Sequence, residues 1–229
     1  MKIGLNPKKI FIGLLGIIFF LLFVHIFLKI FTFYSNHGDW TASLFDFNGE
    51  MNIPAIYSFM TLFLCSILLS ILSVIQKIKV QSYLPWLGLA VCFLFISIDE
   101  IAQIHECINI PIREELNLSG PFFFSWIIPY GLGVIVLLLM YLRFLFRLPK
   151  RILILFIVSG VIYILGAIGF EILEGMEYDL NGDYYSVQFC VLYTIEEFLE
   201  MLGVATFLYS LLLYISIEFN YVTVIVLDR

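Results

Sequence analysis

Apolar residues run along this chain in long unbroken blocks. They do not follow the one-faced or alternating patterns of soluble helices and strands. Six blocks stand out: Ile10–Phe31, Ile53–Ile75, Leu84–Ile104, Phe122–Leu142, Ile152–Leu173 and Phe189–Ile217. Each exceeds the roughly 20 residues that carry a helix across about 30 Å of hydrocarbon. The segments between them hold 8 to 21 residues, too few for a separate soluble domain. Residues 1–229 therefore read as a single all-α domain, a polytopic membrane bundle of about six helices. The first block comes after Lys2, Lys8 and Lys9, but it is too long for a signal-peptide core and has no small-x-small site after it, so it reads as a retained helix.

Polar interruptions of these blocks carry the functional information. Asp99, Glu100, His105 and Glu106 fall at the end of the third block, Glu171 and Glu174 at the end of the fifth, and Glu196, Glu197 and Glu200 near the start of the sixth. At about 1.5 Å per residue, Asp99 lies roughly 22 Å and Glu171 roughly 28 Å from the start of its helix. The sixth helix runs the other way, so all three clusters reach a similar depth, in the outer third of the membrane. Ionisable groups are costly there and mark a functional site by default.

Helical phase sorts these groups. Asp99, Gln103 and Glu106 share one stripe at i, i+4 and i+7, with Glu100 and His105 flanking it. Glu171 and Glu174 are i, i+3 neighbours, and Glu196 and Glu197 flank Glu200. The core set is then Asp99, Glu106, Glu171, Glu174, Glu196, Glu197 and Glu200. Glu100, Glu114, Glu115 and Glu177 read as solvated helix-end residues. The acids of residues 32–52, with His37, read as ordinary loop residues.

Charge distribution orients the chain. Lys2, Lys8, Lys9, Lys77, Lys79, Arg143, Arg147, Lys150 and Arg151 all fall on one side of a six-pass topology. That side is expected to be cytoplasmic, with both termini on it. Of 18 acids, only Glu218 and Asp228 share it. The net charge of −6 is thus polarised, and there is no basic face for nucleic acid. The expected setting is a cell membrane, and low Arg with high Ile, Phe and Lys points to a bacterial inner membrane.

No Lys or Arg lies within the transmembrane parts of the three acidic helices. Protons shared between carboxyls, or bound metal, must therefore relieve the repulsion. Carboxylates projecting inward from several helices build dinuclear iron and manganese sites. The expected ligands are Asp99, His105, Glu106, Glu171, Glu174, Glu196, Glu197 and Glu200, around a divalent ion: Fe, Mn, Mg or Ca, or Zn in a tetrahedral site using few of them. Glu171, Glu197 and Glu200 are the candidate catalytic carboxylates. The Glu-x-x-His element of ferritin-like proteins is missing, since Ala102 stands three residues before His105. The Glu-Glu-x-x-x-Arg helix of CAAX-type intramembrane proteases is also broken, with Met201 at the Arg position.

Three function classes fit these features. The first is a metal-dependent enzyme acting on a lipid-like or apolar substrate. The second is a cation or proton transporter, disfavoured by the scarcity of polar groups below the acids. The third is a non-catalytic subunit or sensor.

The remaining features have structural expectations. His25 reads as a buried, hydrogen-bonded histidine. Cys65 and Cys92 read as packing residues, and pairing of Cys107 with Cys190 stays open. Trp86, Trp126, Tyr184 and Tyr185 suit interfacial belts. Pro129 is expected to kink the fourth helix and shape a cavity lined by Tyr130.

Overall fold

A computed structural model of the chain describes residues 6–35 and 40–218. His37 and Asp39, like Lys2, Asp228 and Arg229, lie outside the described residues. Among those described there is no strand, and six helices are long and apolar enough to cross a bilayer.

Helix α1 (Pro7–Ser35) starts at Asn6, whose side chain accepts the Lys8 and Lys9 amides, with Pro7 at the first helical position. A short helix α2 (Trp40–Leu44) comes next. Helix α3 (Ile53–Ile78) is capped by the Asn52 side chain, which accepts the Ala55 amide. Helix α4 (Leu84–Ala102) returns beside it, and the Ser66 hydroxyl donates to the Ala90 carbonyl across their interface. Helix α5 (Ile104–Leu116) continues from α4 after a break. Helix α6 (Ile127–Leu145) is the fourth pass. The fifth combines α7 (Lys150–Ile164), a π-helical turn (Leu165–Phe170) and α8 (Glu171–Asn181) in one 32-residue span. Helix α9 (Val187–Glu218) is the sixth pass and the most buried.

Helix α9 is the column around which α1, α3 and α7 pack. Val204, Leu208 and Leu211 of α9 meet Leu69 and Leu72 of α3 and Ile152 and Phe156 of α7. The close approach of α7 depends on Gly203, where a Cβ would lie 2.8 Å from the Tyr163 backbone nitrogen. Without a hydrophobic drive between lipid-solvated helices, such small residues allow the dispersion contacts that hold a bundle together.

Contacts at the two ends of α9 establish alternating passes. Near Tyr214 lie Gln76, whose amide donates to the Tyr214 hydroxyl at 3.2 Å, and Trp86, stacked on the Tyr214 ring. Near Thr194 lies His25 of α1. The ends of α3 and α7 that carry Lys77, Lys150 and Arg151 are thus at the Tyr214 end, and the acidic clusters are at the other.

Three expectations about elements need correction. The third pass does not run unbroken to Ile104. Gln103 adopts a left-handed conformation at φ 53° and separates α4 from α5. The Asp99–Gln103–Glu106 stripe is therefore not continuous. The fourth pass begins at Ile127, which puts Pro129 in the first helical turn. Amides there have no intrahelical partner, so proline costs no hydrogen bond and no kink is needed. The fifth pass extends past Leu173 to Asn181, which buries Glu177; Asn181 donates to its carboxylate at 2.7 Å. Trp86 and Trp126 lie at the starts of α4 and α6 and are buried against the bundle.

The expectation for His25 holds. It is 2% exposed, with ring nitrogens 3.2 Å from the Phe45 carbonyl and 3.0 Å from the Thr194 hydroxyl. All four cysteines are free thiols, Cys107 exposed and Cys190 3.1 Å from the Tyr193 hydroxyl.

Candidate metal centre

The left-handed turn at Gln103 folds the chain back so that His105 meets Asp99. The Asp99 Oδ1 accepts the His105 amide at 3.0 Å, and Oδ2 lies 3.1 Å from His105 Nδ1. The first of these bonds satisfies an amide that the new helix start would leave without a partner. The Tyr130 hydroxyl of α6 also donates to Asp99 Oδ1, at 3.1 Å. Asp99 is therefore a buried junction of α4, α5 and α6. Burial works against a charged His105, but the hydrogen bond and charge of Asp99, with the charges of Glu106 and Glu171, outweigh it and push its pKa up to about 9.

A second chain of bonds runs from α5 to α8. Asn109 donates to Glu106 Oε2 at 3.1 Å and accepts the Trp126 amide at 3.1 Å. The Trp126 indole then donates to Glu171 Oε1 at 2.9 Å. Glu171 opens α8 directly after the π-helical turn. The extra residue in such a turn shifts the register of the side chains beyond it. The turn also lies close against α9, where a Cβ at Gly166 would be 2.8 Å from the Glu196 carbonyl oxygen. Helices α8 and α9 are thereby drawn together at the level of their acids.

The result is a carboxylate triad. Glu171, Glu174 and Glu196 each offer one oxygen, and these oxygens lie within 4.8 Å of one another. All three residues are buried. Glu174 is 3% exposed, and its carboxylate has no hydrogen-bond partner outside the triad, only the Glu196 carboxyl beside it. Buried carboxyls that can bind only one another must share protons or a cation, and a cation at this position would satisfy all three. Oxygen-only ligation suits Mg, Ca, Mn or Fe.

The triad forms part of the wall of a cavity of about 530 Å³. Among the described residues, nine carboxylates line it, Glu50, Asp99, Glu100, Glu106, Glu171, Glu174, Glu196, Glu197 and Glu200, together with His105 and no Lys or Arg. Every expected site residue is thus in one cavity, but only three make the close group. Asp99 and His105 bind each other, Glu106 binds Asn109, and Glu197 and Glu200 lie deeper, with Tyr163 beside Glu200.

Several lining residues depart from expectation. Glu100 is a wall residue, not a solvated helix end. Glu50 comes from the connection before α3. Desolvation at the mouth raises its carboxyl above the usual range, against the opposing effects of His105 and Gln103. That connection is anchored by Asp46, which binds Lys29 at 2.7 Å and accepts from Tyr193 at 3.3 Å. Trp126 and Tyr163 carry no sequence signal beyond the need of a buried indole or phenol for a polar partner. Below the acids the lining becomes apolar, with Leu62, Phe93, Leu137, Phe156 and Phe207.

No curated protein and no solved structure is detectably similar to the chain. Over residues 6–214 it matches the family described as Domain of unknown function (DUF8692), and it belongs to that family.

Proposed function

We propose that this protein is a membrane-embedded, metal-dependent enzyme whose substrate is lipid-like. The observation that carries the reading is the Glu171, Glu174 and Glu196 triad, with a buried Glu174 carboxylate that no donor outside the triad reaches. A divalent cation there would supply Lewis-acid or redox chemistry. Glu197 and Glu200, in the same cavity but outside the triad, are the candidate general bases. Asp99 orients His105, and Trp126 orients Glu171, so the polar wall is held by bonds from α4 and from the residue that opens α6.

The apolar lower lining supports a hydrocarbon-bearing substrate over ion transport. A transported cation would need polar groups continuing toward the basic face, and Phe93, Leu137, Phe156 and Phe207 line that direction instead. The setting that fits is a cell membrane with the acidic layer toward its outer face.

The test is incubation of purified protein with a bacterial lipid extract, with Mn²⁺ or Fe²⁺ or with chelator, followed by lipid mass spectrometry. A metal-dependent change in lipid species, absent in Glu174→Gln and Glu200→Gln, is expected. Metal-loaded protein that alters no lipid but conducts cations or protons in liposomes would overturn the enzyme reading in favour of transport.

A further inference from the structure

Helix α6 stands apart from the bundle along most of its length. Ile127 is the sole buried residue within it. Two clasps hold it to α4. At the acidic end the Tyr130 hydroxyl binds Asp99, and its ring lies 6.1 Å from Phe95. At the basic end the Tyr141 hydroxyl donates to the Pro85 carbonyl at 2.9 Å, and Phe144 packs edge-on against Trp86 at 5.0 Å. Gly88 makes room for the lower clasp, because a Cβ there would collide with the Tyr141 hydroxyl. Tyr130 and Tyr141 are about 16 Å apart along the helix.

Between the clasps, Val134, Leu137 and Leu138 of α6 face the cavity, opposite Phe93 and Ile96 of α4. Leu138 lines the cavity and is also 48% exposed. With only Ile127 of α6 buried, no further helix covers this wall from outside, at a depth where the exterior is hydrocarbon. On the far side, Gly160 of α7 leaves further room, with no heavy atom within 4 Å of a Cβ built on it.

We propose that the lower part of the cavity is a slot for one hydrocarbon chain, which enters sideways from the bilayer between the two clasps and keeps its polar end at Glu197, Glu200 and Tyr163. The residues lining the cavity below these groups are mostly apolar, and the whole cavity falls within the usual size of a small-molecule site. A single-chain amphiphile fits this shape. The chemistry at its polar end rests on the proposed metal-dependent reading, whereas the slot itself rests on helix packing alone.

The test uses the protein in nanodiscs, irradiated with a long-chain alcohol carrying a mid-chain diazirine, with adducts located by mass spectrometry and metal content measured on the same samples. Adducts are expected on Phe93, Leu137, Phe156 or Phe207. Gly160→Leu places a side chain where a Cβ meets no heavy atom within 4 Å, and it replaces a helix-interior glycine with a better helix former. It should cut these adducts about tenfold, the affinity carried by burying two methylenes. Leu138→Trp at the opening should do the same. Adducts confined to outward residues such as Ile135 and Leu139, or unchanged in both variants, would overturn the slot. Slot adducts in protein that binds no metal would keep the slot and overturn the metal reading. Bound metal without slot adducts would do the reverse.

Discussion

Glu174 holds a buried carboxylate with no donor outside the triad, beside two further carboxyls. Neutralising it should therefore separate stability from function. Glu174→Gln is expected to leave the melting temperature of metal-free protein unchanged or higher, because it removes an uncompensated buried charge, while abolishing metal retention. Asp99 is the opposite case. It accepts the His105 amide and the Tyr130 hydroxyl and pairs with the His105 ring, so Asp99→Asn should lower unfolding free energy by about 1–3 kcal/mol in a denaturant titration. His105 adds a pH dependence. Its pKa is raised from 6.5 to about 9; the folded state thus binds the proton more tightly. Its stabilising contribution is complete below pH 6.5 and is lost as pH rises through about 9. The difference in melting temperature between chelated wild type and His105→Gln should shrink across that window. Acids inside apolar blocks are conspicuous in the sequence because the bilayer penalises them wherever they point. Glu50, Trp126 and Tyr163 are not, because their place in the site comes from contacts between distant segments.

Helix α4 ends at Gln103 with no glycine or proline to announce it. This non-glycine residue is held in the left-handed region by the Asp99 carboxylate, which caps α5 through the His105 amide. A periodicity argument sees a polar residue within a helix and extends the stripe through it. Gln103→Val, whose branched side chain tolerates that conformation poorly, should destabilise the protein by about 1–2 kcal/mol in a thermal unfolding series. Gly203→Ala tests the contact between α7 and α9. Its Cβ would press on the Tyr163 backbone at 2.8 Å, and overpacking of this kind costs about 1–3 kcal/mol. The six passes themselves are legible because apolar length alone specifies them. Their ends are not, since the π-helical turn, the extension to Asn181 and the late start of α6 depend on neighbouring helices.

The whole molecule is a polarised bundle, with basic residues at the Tyr214 end of α9 and acids at the Thr194 end. The positive-inside rule turns that polarity into an orientation. Exposed Cys107, on α5 at the acidic end, should react with a membrane-impermeant maleimide applied to intact cells, and Cys107→Ser should remove most of the label. A cysteine at Lys79 should react only after permeabilisation. Among the described residues, the bundle also concentrates nine carboxylates and one histidine in a single cavity without a lysine or arginine, and what balances that charge decides what the protein does. The most direct measurement is elemental analysis of protein purified without chelator. A stoichiometric divalent metal, lost in Glu171→Gln, Glu174→Gln and Glu196→Gln but retained in Gly160→Leu, is the predicted result. Wild-type protein that carries no such metal, and takes up none from Mn²⁺ or Fe²⁺, would contradict it and leave shared protons as the answer.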